Sequence, residues 1–141
     1  YGNRGSNFML TMQRLARERE VVKVVNDQFG SPSWSRSIAE TVALACHGVL
    51  RDPTLADASG VYHVCSSGFT SWHGFASRII ESMPEQQRQA RQVIGIPTRE
   101  YPTPAKRPAY SVLDCRKLEA TFGIRLPDWE QTLRLVLDVT G

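Results

Sequence analysis

Short β-branched segments alternate with segments of helical periodicity along this chain, and this alternation constrains the fold more than any other feature. The run Val21–Val25 (VVKVV) is typical of a buried strand, because β-branched side chains favour extended backbone. Before it, Phe8, Met12 and Leu15 recur at the spacing of one helix face. The same reasoning predicts strands at 60–67 and 92–97, and helices at about 7–20, 36–50, 70–83, 115–123 and from 127 or 128 onward. Alternating elements of this kind predict an α/β fold with few short strands and about five helices.

Two predicted elements carry further expectations. In the helix at 36–50, the positions Ile38, Val42, Ala45 and Val49 mark the apolar face of an amphipathic helix. After the proline-rich stretch, the sequence SVLD at 111–114 is a candidate for a small additional strand pair.

The number of predicted strands bears on how complete the fold is. Three or four strands are few for a self-standing doubly wound sheet, although 141 residues suffice for one domain with a core. The chain also begins at Tyr1 without a methionine. We therefore expect residues 1–141 to be one domain of a larger α/β protein.

Composition and charge argue against several classes of function. The net charge is +3, and the charges are scattered rather than gathered in a basic stripe, so nucleic-acid binding is not expected. No apolar run approaches the ~20 residues of a membrane span. The cysteines Cys46, Cys65 and Cys115 lack the spacing of a metal site or a disulfide framework. Buried free thiols in a reducing, cytoplasmic environment are the expectation.

A stiff and basic stretch, Tyr101–Asp114 (YPTPAKRPAYSVLD), is the first candidate for binding. Proline fixes φ, and it pushes the residue before it toward extended geometry, so an ordered, extended segment is predicted. Such a segment holds Arg107 in place, and its planar guanidinium can bind two phosphate oxygens at once. The alternative is that Arg107 forms a surface salt bridge.

Polar and aromatic residues near the first predicted helix and strand are further candidates. Asn7 lies at the start of the helix, and Asp27 and Gln28 lie in the loop after the strand, where polar side chains can contact a sugar or a base. Phe29 and Trp34 in the same loop can stack on a ring. Simpler interpretations stay open, since Asn7 can cap its helix, Asp27 can organise its turn and Trp34 can cover an edge of the core.

Catalytic and cofactor motifs are sparse. The sequence contains no Gly-x-Gly-x-x-Gly pattern and no Walker sequence. His47, His63 and His73 are far apart, and no Ser-His-Asp or Cys-His pairing follows from the spacing. The residues alone therefore predict binding chemistry without a self-contained catalytic apparatus.

Five blocks of the sequence together resemble a known family. They are GSNFMLTMQRLARERE, VVNDQFGSPSWS, GVYHVCSSGFTSWHGFA, YPTPAKRPAYSVLD and FGIRLPDWEQTLRLVL. Their order and spacing resemble those of the dTDP-4-dehydrorhamnose reductase family of extended short-chain dehydrogenases/reductases. The resemblance spans essentially the whole chain, but it covers only the C-terminal, substrate-binding part of such enzymes. It implies that the Rossmann half, with its site for NADP(H) or NAD(H) and its catalytic Tyr-x-x-x-Lys pair, is absent from these residues.

The resemblance also implies a reaction and a set of contacts. Family members reduce dTDP-4-dehydro-L-rhamnose to dTDP-L-rhamnose for cell-wall or lipopolysaccharide biosynthesis. By analogy, Arg107 meets the diphosphate, Asn7 faces the nucleotide, and the loop Asp27–Trp34, with Gln28, adds further contacts. No catalytic or cofactor-binding residue is expected in this chain, and by itself it is expected to be inactive as a reductase.

The sequence departs from the family's pattern at the positions of a metal site, and two other functions stay open. Some members are magnesium-dependent dimers with glutamate ligands, but Arg36 stands where an acidic residue would be needed and the chain ends in LDVTG. No metal site is therefore expected, whereas a homodimer stays open. The alternatives are a non-catalytic interaction module like the regulatory subunit of methionine adenosyltransferase, and a reductase or epimerase for another nucleotide-sugar.

Overall fold

The computed structural model describes residues 1–138, in which short strands and helices alternate as predicted. Residues 139–141, which end the LDVTG sequence considered for a metal ligand, lie outside the described residues. The helices are α1 (Phe8–Glu18), α2 (Ser35–Arg51), α3 (Trp72–Glu81), α4 (Arg116–Phe122) and α5 (Trp129–Asp138). The strands are β1 (Val21–Val25), β2 (Phe29–Gly30), β3 (Thr70–Ser71) and β4 (Gln92–Ile96). The predicted α/β class with five helices and few short strands is confirmed.

Local signals in the sequence account for where several helices begin and end. Asn7 caps α1, because its Oδ1 accepts a hydrogen bond from the backbone N–H of Leu10 at 3.3 Å. Ser71 caps α3 in the same way, with Oγ accepting from the N–H of Gly74 at 3.0 Å. Gly123 ends α4 with a φ of 66°, a left-handed conformation that glycine adopts without strain.

Two pairs of strands connect the helices. Strands β1 and β4 are parallel, with Val21 opposite Gln92 and Val25 opposite Ile96, which confirms both predicted strands. Parallel pairing requires a crossover, and the chain between the two strands includes α2 and α3. Strands β2 and β3 pair antiparallel and connect the segment after β1 to the start of α3. That segment was expected to be a loop throughout, but it contains β2.

The core lies where α1, α3 and α5 pack with β1. Phe75 of α3 is only 2% exposed and lies among other aromatic rings. Its ring centroid is 5.1 Å from that of Tyr1, 5.6 Å from that of Phe8 and 5.8 Å from that of Trp129. Apolar burial of this kind is the main stabilising contribution in a domain of this size.

The strand predicted at 60–67 is absent from the described residues, which is a correction. Ser67 forms an isolated bridge with Asp128, but residues 60–66 belong to no strand, and Val61 is 79% exposed. β-branched residues favour extended backbone, but a strand also needs a neighbour to pair its backbone groups. Residues 1–138 provide no such neighbour beside this segment.

Helix α2 forms as predicted, but its apolar face is largely exposed. Val42 and Val49 are 50% and 42% exposed, and the nearby Leu44 and Leu50 are 59% and 84% exposed. The residue of α2 that is buried is Thr41. Helical periodicity predicts the helix and its apolar side, whereas burial depends on another element packing against that side.

Residues 1–138 include all three cysteines and show their state and exposure. Cys46, Cys65 and Cys115 are free thiols, as predicted. The expectation of burial was wrong, because Cys46 is exposed and the other two are half-buried. None of the described helices has the length and hydropathy needed to cross a membrane.

Candidate ligand-binding site

A cavity of about 450 Å³ opens between the start of α1, the loop containing β2, the start of α3 and the end of the proline-rich stretch. This volume is within the range of roughly 300–1,000 Å³ that is common for small-molecule sites. Aromatic and polar side chains both line it, including Tyr1, Asn7, Phe8, Gln28, Phe29, Ser31, Trp72, Phe75, Arg107 and Ser111. The lining therefore offers flat apolar surfaces together with hydrogen-bonding groups and one guanidinium.

Backbone hydrogen bonds bring the proline-rich stretch to this cavity. The N–H of Phe29 donates to the oxygen of Ala109 at 2.8 Å, and the N–H of Ser111 donates to the oxygen of Phe29 at 2.9 Å. Residues 109–111 therefore run beside β2, although 82 positions separate Phe29 from Ser111. The small strand pair considered at 111–114 does not form, and an isolated bridge between Phe29 and Tyr110 takes its place.

Arg107 lines the cavity and has no partner in the described part of the chain. No ion pair or hydrogen bond joins its guanidinium to residues 1–138. Arg36 and Arg116 differ in this respect, since Arg36 pairs with Glu40 and Arg116 pairs with Asp114. Arg4, Arg17 and Arg99 also have no such partner within residues 1–138, but they do not line the cavity. The surface salt bridge considered as the alternative for Arg107 is thus not found in this region, and its five donors face no protein anion.

Asn7 and Gln28 line the same cavity, but their side chains already bond to the protein. Besides capping α1 through Oδ1, Asn7 donates from Nδ2 to the oxygen of Gly2 at 2.8 Å. Gln28 is 9% exposed and donates from Nε2 to Oγ1 of Thr98 at 3.0 Å. The capping role of Asn7 is visible in these bonds, and a ligand contact by either residue stays a prediction.

Asp27 is not among the residues that line the cavity. Both of its carboxylate oxygens accept from the backbone N–H of Thr98 at 3.0 Å, and Oδ1 also accepts from the hydroxyl of Thr98. These hydrogen bonds, the side-chain one first, lower the pKa of Asp27. Asp27 thereby clamps the loop after β1 to the loop after β4, and its predicted ligand contact stays untested.

Trp34 also lies outside the lining of the cavity. Its ring packs against the core, and the guanidinium of Arg36 lies 5.6 Å from the ring centroid. The tryptophan that does line the cavity is Trp72, which sequence reasoning missed. Trp72 is 45% exposed, and its ring centroid lies 4.7 Å from that of Phe8. The available signal was its spacing, because Trp72 precedes Phe75 and Ile79 by three and seven positions and so extends the apolar face of α3 to the start of the helix.

Two further observations describe the chemistry of the site. The hydroxyl of Tyr1 is buried and has no hydrogen-bond partner within residues 1–138, and burial raises the pKa of this side chain. Among the described residues, no group of three or more His, Cys, Asp or Glu side chains is arranged to hold a metal ion. Arg107 and the aromatic side chains of the lining can recognise an anion and a ring.

The Asp27–Thr98 contact is expected to make stability depend on pH in acid. Because the pKa of Asp27 is lowered on folding, its contribution is present above the ordinary value of 3.8 and is lost as the pH falls through the lower folded value. The gap in Tm between the wild type and Asp27→Asn should therefore narrow once the pH falls below 3.8. Thermal unfolding followed by circular dichroism checks this, with Asp57→Asn at an exposed position as the control. A gap that does not change with pH would contradict it.

Comparison with known proteins identifies the family of this chain. Residues 1–140 match the family model described as RmlD substrate binding domain. A dTDP-4-dehydrorhamnose reductase of Burkholderia thailandensis is 48% identical over 140 residues, covering 96% of this chain and 47% of the relative. The Escherichia coli K12 enzyme of the same name is 38% identical, covering 98% and 46%. The spore coat polysaccharide biosynthesis protein SpsK of Bacillus subtilis is 37% identical, covering 95% and 42%.

Solved structures agree with these relatives. A dTDP-4-dehydrorhamnose reductase of Bacillus anthracis in complex with NADP superposes with a TM-score of 0.83 at 32% identity, over 99% of this chain and 45% of that one. An ortholog from Clostridium acetobutylicum gives 0.82 at 33% identity, with the same coverage. The chain thus spans about half the length of the relatives it matches, and its fold is that of their C-terminal portion.

Proposed function

Because this chain belongs to the RmlD substrate binding domain family, we propose that it binds the nucleotide-sugar in an NADP(H)-dependent reductase that converts dTDP-4-dehydro-L-rhamnose to dTDP-L-rhamnose. The observation that carries the proposal is a cavity in which aromatic rings stand beside Arg107, a guanidinium without an anionic partner in residues 1–138. A diphosphate supplies that anion, and its oxygens match the fork of donors on the guanidinium.

Each predicted site residue has a place in this proposal. Arg107 binds the diphosphate, while Gln28 and Asn7 line the cavity and hold its wall through their bonds to Thr98 and Gly2. Asp27 and Trp34 act through the loop that they stabilise. The exposed rings of Phe29 and Trp72 supply surfaces on which a base or sugar ring can lie. Phe29 was a stacking candidate from the sequence, whereas Trp72 was not.

The cofactor and the proton donor are assigned to a second half of the protein. This is supported by the coverage, since the chain spans 45–47% of three similar reductases, and by the absence of a Tyr-x-x-x-Lys sequence. The exposed apolar face of α2 and the unpaired residues 60–66 form the surface for that half. A parallel sheet in the missing half would pair the backbone of residues 60–66. In a competing arrangement, the apolar face of α2 is buried in a homodimer. The proposed location of the protein is a reducing cytoplasm.

Titration with nucleoside diphosphates tests the proposal. Isothermal calorimetry should show saturable binding of dTDP to the chain. Tighter binding of UDP or GDP than of dTDP would favour a reductase or epimerase for another nucleotide-sugar. No binding of any of them would contradict the proposal. The interaction module is not favoured, because the named relatives are reductases and a polysaccharide biosynthesis protein.

Trp72 should report the binding event. Because its ring is half-exposed at the cavity, a stacked base or sugar should change its fluorescence, whereas Trp34 and Trp129 pack in or against the core. We expect dTDP to quench part of the emission of the wild type, and we expect Trp72→Phe to lose most of that change. Trp34→Phe is the matched control and should keep it. A fluorescence change that survives in Trp72→Phe and disappears in Trp34→Phe would place the ligand elsewhere.

A further inference from the structure

Cys65 and Cys115 are 50 positions apart in sequence but face each other in the structure. Their Sγ atoms are 3.5 Å apart, and Sγ of Cys65 is also 3.8 Å from the backbone oxygen of Leu113. A disulfide bond is about 2.05 Å long, so the sulfur atoms must approach by about 1.5 Å to form one. Rotation of the two side chains and a small backbone shift can supply that movement.

The surroundings of the two thiols permit this approach. Both cysteines are half-exposed, and both line a second cavity of about 320 Å³ that small molecules can enter. The third cysteine, Cys46, is exposed on α2 and lines neither this cavity nor the larger one.

We propose that Cys65 and Cys115 form a redox-sensitive dithiol that a peroxide converts reversibly to a disulfide. Hydrogen peroxide first oxidises one thiol to a sulfenic acid: the sulfur gives two electrons to the O–O bond, which breaks, and one oxygen leaves as water. The other sulfur then attacks the sulfenic sulfur, the S–S bond forms, and the hydroxyl leaves with the thiol proton as a second water. Dithiothreitol reverses the reaction and is itself oxidised to its cyclic disulfide.

The rate of this reaction follows from the state of the thiols. Desolvation, with a further contribution from Cys115, raises the pKa of the Cys65 thiol. Since the thiolate is the reactive form, the raised pKa slows the attack of Cys65 itself on peroxide at neutral pH.

The disulfide would join the segment that ends at Cys65 to the stretch that borders the ligand-binding cavity. Ser31 lines both cavities, and Cys115 follows residues 109–111, which bond to β2. Oxidation would hold the stretch that carries Arg107 against the segment that ends at Cys65. A cross-link between distant positions also restricts the unfolded chain, so the Tm should rise on oxidation.

The test treats the full chain with hydrogen peroxide and counts thiols with DTNB after unfolding. The wild type should fall from three thiols to one and lose about 2 Da of mass, and a tryptic peptide should link Cys65 to Cys115. Dithiothreitol should restore three thiols. Cys46→Ser, the matched variant, should fall from two thiols to none and show the same rise in Tm.

Other outcomes would overturn the proposal. One is a gain of oxygen mass on Cys65 or Cys115 without a linked peptide, and another is a linked peptide that contains Cys46. Cys65→Ser and Cys115→Ser should each lose the rise in Tm. If either variant fails to fold, the thiol count and the linked peptide of Cys46→Ser still decide the question.

Discussion

Replacing Arg107 by alanine is expected to weaken dTDP binding by about 1.5–3 kcal/mol, or roughly 10- to 150-fold in Kd. The guanidinium lines the cavity and has no ion pair within residues 1–138, so the loss reflects a ligand contact rather than a broken protein contact. For the same reason the Tm should be nearly unchanged. Calorimetric titration of wild type and variant with dTDP measures the effect directly.

Lys106 offers a matched control for this experiment. It is the next residue, it carries the same charge and is exposed, but it does not line the cavity. Lys106→Ala should therefore change the affinity by only a few tenths of a kcal/mol, roughly the effect of a distant surface charge. Arg107→Lys should give an intermediate loss, since it keeps the charge and removes the planar fork. If Arg107→Ala and Lys106→Ala have equal effects, Arg107 does not bind the diphosphate.

Replacing Phe75 by alanine is expected to lower the free energy of unfolding by about 3–5 kcal/mol. The ring is 2% exposed and lies within 6 Å, centroid to centroid, of the rings of Tyr1, Phe8 and Trp129, so alanine leaves a cavity between α1, α3 and α5. Urea unfolding followed by circular dichroism measures the loss. Phe75 also lines the ligand cavity, so the variant should bind dTDP more weakly as well.

Two further variants make the Phe75 prediction decisive. Leu135 of α5 is 54% exposed, and Leu135→Ala should change stability by no more than about 0.5 kcal/mol. If Phe75→Ala does not fold, Phe75→Leu fills part of the space and should show a smaller loss, about 1–3 kcal/mol. Equal losses for Phe75→Leu and Leu135→Ala would contradict the central position of this ring in the core.

The resemblance of the sequence to known reductases predicted that Arg107 and Asn7 both contact the nucleotide-sugar. Both line one cavity, and the contacts themselves stay predictions. The resemblance did not separate the residues that line this cavity from those that support it. Asp27 was a ligand-binding candidate because it is a polar loop residue. In the structure its carboxylate accepts hydrogen bonds from Thr98, which follows β4 as Asp27 follows β1. Trp34 and Trp72 are both aromatic residues near helix starts, and only the packed chain shows which of them faces the cavity.

Local chemistry in the sequence determined the helices, their caps at Asn7 and Ser71, the end of α4 at Gly123, and strands β1 and β4, because these depend on neighbouring residues and on periodicity. Tertiary structure alone decided that residues 60–66 stay unpaired, that the apolar face of α2 is exposed and that Cys65 meets Cys115. The physical reason is that pairing, burial and thiol proximity each require a second segment, and sequence spacing does not say which distant segment arrives there.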